Sequence, residues 1–152
     1  MPGIYFVIKF LHILFAIIAF GFNATYAIWL IRAQRNPQYT EFALRGVKFM
    51  DDYFANPAYI LLLLSGLTMV WVARYQLTTF WIAGGIALWI IAIILGYGVY
   101  TPTLSRQIKV LAASGTESAE FRALSTRSTV VGITLAVLVL LILMLMVFKP
   151  TF

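Results

Sequence analysis

Four stretches of this chain stay apolar over a length that crosses a bilayer, and they restrict its fold more than any other feature. They run from about Ile4 to Ile31, Tyr53 to Val72, Thr79 to Thr101 and Val130 to Phe148. Each meets the need for roughly 20 predominantly apolar residues across a hydrocarbon core ~30 Å thick. Inside lipid, backbone N–H and C=O groups find only one another, so a spanning segment is a helix or part of a closed barrel. Barrel strands show short alternation, whereas "ITLAVLVLLILMLMVF" (Ile133 to Phe148) is apolar on nearly every side. The expected fold is all-α, a transmembrane four-helix bundle forming a single transmembrane domain over residues 1–152.

Composition agrees with that class. A hydrophobic fraction of 62% beside 11% charged residues leaves the links too short to bury a core of their own. No small-residue cleavage site follows the first apolar run, which is long enough to span, so it reads as a helix and not as a cleaved leader. Cysteine is absent, which excludes disulfides, thiolate metal sites and cysteine nucleophiles.

The net charge of +6 is a topology signal before it is a binding signal. Arg32, Arg35, Arg45 and Lys48 lie between spans one and two, and Arg106, Lys109, Arg122 and Arg127 between spans three and four. Short basic links stay in the cytoplasm, so both termini are expected to be extracytoplasmic in a multi-pass protein of the plasma (inner) membrane. The expected partner is the lipid bilayer, including anionic head groups, and not nucleic acid.

The two long links read as helical. Asn36-Pro37 has the form of a helix start, and Phe42, Gly46, Phe49/Met50 and Tyr53 recur at helical spacing into span two. Span three continues past Pro102 through Leu104, Ile108 and Leu111 to Gly115, after which Thr116 is expected to cap a helix carrying Glu117 and Glu120. Two helical hairpins therefore extend into the cytoplasm. "EFALR" before span two and "EFRAL" before span four also hint at a parallel repeat of the two halves.

Polar residues in hydrocarbon are costly and mark candidate sites. They fall in two layers. The outer layer holds His12, about 12 Å deep, with Lys9 one turn above it, and Thr68, Met69, Met144 and Met146 at comparable or shallower depth. The inner layer holds Asn23, Thr25, Asp51, Asp52, Asn56, Tyr97 and Tyr100. Neutral imidazole is a good ligand for haem iron or copper, and methionine sulfur can complete such a site. His12, Lys9, Met69 and Met144 are thus the cofactor-site candidates, and His12 the metal-ligand candidate. The competing reading has His12 bonded to a hydroxyl or carbonyl of a neighbouring helix. Asp51 and Asp52 at the start of span two read as dipole-stabilising residues paired with Arg45, Lys48 or Arg32, or else as a proton or cation site with Tyr97 and Tyr100. The glycines of span three, Gly84, Gly85, Gly96 and Gly98, suit close helix contact. Catalytic residues are not expected, since no phosphate loop, nucleophile elbow or metalloprotease pair is present.

"IKFLHILFAIIAFGF" in span one, "LTTFWIAGGIALWIIAIILGYGVYTPTL" in span three and the closing "MLMVFKP" resemble the bacterial membrane family known as domain of unknown function 2269. The likeness covers nearly the whole chain and implies architecture without an activity. More distantly, the Lys9–His12 pair resembles copper-resistance protein D and the HemJ-type protoporphyrinogen oxidases. In the latter, a first-span histidine and a third-span lysine go with haem and activity. Gly84 and Gly85 stand where that lysine would be, so the resemblance transfers only His12 as a ligand and argues against oxidase activity.

The leading expectation is a non-enzymatic membrane protein without a cofactor, acting as an accessory or structural subunit or as a small-ligand binder. The alternative is a haem b redox protein using His12, with the second axial ligand from a methionine or from a homodimer; a homodimer or a larger membrane complex is the assembly considered. A further alternative is copper or proton transport.

Overall fold

The computed structural model describes residues 2–150. Met1, Thr151 and Phe152, and with them the outermost ends of the two termini expected to be extracytoplasmic, lie outside the described residues. The chain forms α1 (Pro2–Gln34), α2 (Thr40–Met50), α3 (Asn56–Ala73), α4 (Phe80–Leu95), α5 (Thr101–Ser114) and α6 (Ala119–Phe148). Together they make four rods, each apolar and long enough to cross a membrane: Gly3–Gln34, Pro37–Ala73, Phe80–Ser114 and Ala119–Phe148.

Span two is α2 running into α3, and span three is α4 running into α5. Each carries a five-residue π segment at the join, Asp51–Ala55 and Gly96–Tyr100. Both segments end just before a proline at the second position of the next helix, Pro57 and Pro102. Proline has no N–H to give and its ring crowds the carbonyl four residues back. The residue before it therefore reaches one step further: Asn56 N–H donates to Asp51 O, and Thr101 N–H to Gly96 O. Such an i→i+5 bulge keeps the helix continuous where a hydrogen bond is missing. The bulges fall in spans two and three, which the "EFALR"/"EFRAL" repeat does not pair; spans one and four are unbroken.

Helix ends differ in detail from the sequence reading. Asn36 precedes a 3₁₀ turn over Pro37–Tyr39, but its amide donates back to Arg32 O at 3.4 Å and does not cap. Ser118, not Thr116, caps α6 by accepting from Phe121 N–H at 3.2 Å. Gly115 ends α5 with φ +70°, a backbone state that glycine enters without steric cost.

Packing is uneven along the bundle. At the charged end, α2 meets α5, and Leu44, Val47 and Leu104 are completely buried. Ser128 Oγ of α6 lies 3.2 Å from Gln107 Oε1 of α5, and Arg106 reaches Glu120 at 2.6 Å across the same pair of helices. At the other end α1 packs on α3 and α4 on α6 through small residues. A Cβ at Gly66 would stand 3.0 Å from His12 Cε1, and one at Gly84 3.2 Å from Leu145 Cδ1. Gly85 lies against the Met146 methyl in the same way, whereas Gly96 and Gly98 face open space and belong to the bulge. The outward faces are lined by residues such as Phe6, Phe10, Leu64, Ile94 and Ile133, all more than half exposed, as lipid contact requires.

Candidate functional site

Helix α1 brings its polar residues to two depths, and each depth forms a distinct site. Toward the chain ends, His12 Nδ1 lies 3.0 Å from Ser65 Oγ of α3. The serine hydroxyl has one hydrogen, and it is directed to Leu61 O at 2.6 Å within its own helix. Ser65 is then the acceptor and His12 Nδ1–H the donor. The Leu62 backbone carbonyl of α3 is a further hydrogen-bond partner of the imidazole. The bond across helices is the arrangement expected of a histidine held by a neighbouring hydroxyl, and it also presets the tautomer that a metal would need.

His12 stands on the wall of a cavity of about 490 Å³ bounded by all four spans. Its walls run from Tyr5 to Phe20 on α1, Tyr59 to Val70 on α3, Trp81 to Trp89 on α4 and Val139 to Val147 on α6. Gly66 and Gly85 sit in these walls, where larger side chains would meet His12 and Met146. Lys9, Lys149 and Tyr75 stand at the end near the chain termini, and Lys149 Nζ lies 5.2 Å above the Trp81 ring. Lys9, His12, Met69 and Met146 thus share one cavity. Met144 does not: it is 46% exposed and faces outward. Thr68 also faces out, donating to Leu64 O of its own helix. Among the described residues no group of three or more His, Cys, Asp or Glu side chains converges on a metal position.

The inner site centres on Asp51, which is buried. Its Oδ2 accepts from Thr101 Oγ1 at 2.7 Å and from Asn56 Nδ2 at 3.3 Å, so a single carboxylate joins the two bulged spans. No cation pairs with it among the described residues. Lys48 instead pairs with the neighbouring Asp52 on the outer surface, and Arg45 pairs with Glu41. Asn23 donates to Tyr59 OH at 2.6 Å, and Trp89 Nε1–H to Tyr59 O at 3.1 Å. Tyr26 and Tyr100 stack with centroids 6.2 Å apart, and the Tyr26 hydroxyl is buried without a partner. Of the expected inner cluster, Asn23, Asp51, Asn56 and Tyr100 therefore lie inside. Asp52 and Tyr97 point outward, the latter 42% exposed, and Thr25 bonds Phe22 O on the exposed side. Tyr26, Tyr59 and Thr101 are members the sequence reading missed. The i,i+3 spacing of Asn23 and Tyr26 was the available signal for the first of these.

The chain belongs to the family described as predicted integral membrane protein, domain of unknown function 2269, whose model matches residues 6–150. No curated protein and no solved structure matches the chain. The likeness to copper-resistance protein D and HemJ-type oxidases remains a resemblance of short motifs.

Proposed function

We propose that this membrane protein binds a small apolar or amphipathic ligand in the cavity beside His12, entered from the extracytoplasmic side. The observation that carries this reading is the cavity itself. Binding pockets for small molecules are mostly apolar, with a few placed polar groups, and occur between the helices of bundles. Here an apolar chamber bounded by four spans holds one imidazole and two lysines. The basic links at the opposite end support an extracytoplasmic lysine end by the positive-inside rule.

The test uses a neutral apolar fluorophore excited by energy transfer from Trp81 and Trp89, with protein purified in non-ionic detergent. Saturable binding is expected, and it is expected to disappear in Ala16→Phe and Gly85→Leu, which fill the chamber from α1 and α4. Unsaturable partitioning, equal in all three proteins, would refute the reading. A second reading, haem b on His12 Nε2, is favoured by Met69 and Met146 lining the same chamber. It requires a Soret band that His12→Gln abolishes.

A further inference from the structure

The cavity mouth carries charge that no carboxylate among the described residues neutralises. All five carboxylates, Glu41, Asp51, Asp52, Glu117 and Glu120, lie toward the opposite end of the bundle, where Glu41, Asp52, Glu117 and Glu120 engage Arg45, Lys48, Arg122 and Arg106. Lys9 and Lys149 make no ion pair among the described residues. The ionisable groups lining the chamber are these two lysines, His12 and three tyrosines, with no acid among them. Two ammonium groups at the rim of an apolar chamber attract an anion whose remainder is hydrocarbon.

We infer that the ligand is a single-chain anionic amphiphile, its head group held between Lys9 and Lys149 and its acyl chain laid along the chamber past His12. This deepens the ligand-binding reading above and rests on it. Size supports one chain. From Lys9 to Phe20 the wall of α1 extends about 16 Å at ~1.5 Å per residue. The inner end is closed by Ala19 and Tyr59, both buried. A chamber of about 490 Å³ lies within the ~300–1,000 Å³ of small-molecule pockets, which suits one acyl chain. The Lys149–Trp81 contact holds one ammonium at the rim, where it remains wet while facing the chain.

Carboxylate and phosphate heads share the required chemistry, and competition separates them. Palmitate, lysophosphatidic acid, monopalmitoylglycerol and hexadecyltrimethylammonium would each be titrated against the neutral fluorophore, with the full chain in zwitterionic nanodiscs. The two anions are expected to displace it at about 25-fold lower concentration than the glyceride, and the cation least well, from about fivefold for each of the two near-surface lysines. Lys9→Gln with Lys149→Gln should erase the preference and leave the glyceride unchanged, while Lys9→Arg with Lys149→Arg retains it. An advantage for only one anion supports the inference and identifies the head group. Equal displacement by anion and glyceride overturns the inference while leaving the ligand-binding reading intact. Failure of every competitor, with no saturable fluorophore site, overturns that reading instead.

Discussion

Replacing Asp51 with leucine is expected to destabilise the fold by roughly 2–5 kcal/mol, while asparagine costs about 1. The carboxylate is the common acceptor for Thr101 of span three and Asn56 of span two. Leucine leaves a hydroxyl and an amide buried without an acceptor, and each such orphan costs about 1–3 kcal/mol. Asparagine keeps one acceptor oxygen and preserves the bridge to Thr101. Thermal unfolding in one detergent, followed by tryptophan fluorescence, should rank wild type first, Asp51→Asn close behind and Asp51→Leu far below. Equal tolerance of the two variants would mean that this carboxylate does not join the two bulges.

Truncating Leu104 or Leu44 to alanine should be as damaging, about 2–5 kcal/mol each. Both are completely buried where α2 and α5 meet, among the chain's arginines and lysines. An end so rich in charge is expected in water or at the interface, where burial removes apolar surface from water and the hydrophobic effect acts in full. Within lipid it does not, because a chain of methylenes is no better a neighbour than another leucine. Leu140→Ala, at a site 47% exposed on α6, is therefore expected to change stability by a few tenths of a kcal/mol only. Comparable losses at Leu104 and Leu140 would contradict a water-driven core at the charged end.

The spans, and the helical continuations beyond them, were legible because both rest on one-dimensional signals: apolar run length, and 3.6-residue spacing through the basic links. Level along the bundle axis was legible too, by counting residues. Azimuth was not. A helix turns about 100° per residue, so in an all-apolar segment depth alone cannot say which side chains face inward. Met144 and Met146 show the consequence, since only the second lines the cavity. Ser65, the partner of His12, carried no mark of its role within an aliphatic span. Asp51 and Asp52 were separable in principle: Lys48 is four residues before Asp52, the spacing that pairs charges on a helix surface, which leaves Asp51 to turn inward. The bulges had a signal as well, since Pro57 and Pro102 each interrupt a helix that hydrophobicity carries straight through.

Ligand binding beside His12 is tested most directly by the mass of the intact protein released gently from membranes. Native mass spectrometry of the wild-type chain should show one additional species per protein, of a mass fitting a single-chain anionic amphiphile, and the Ala16→Phe and Gly85→Leu proteins should lack it. An adduct with the mass of haem would move the account to the second reading. The bare polypeptide mass in all three proteins, under conditions where known membrane–ligand complexes survive, would contradict a ligand-binding chamber altogether.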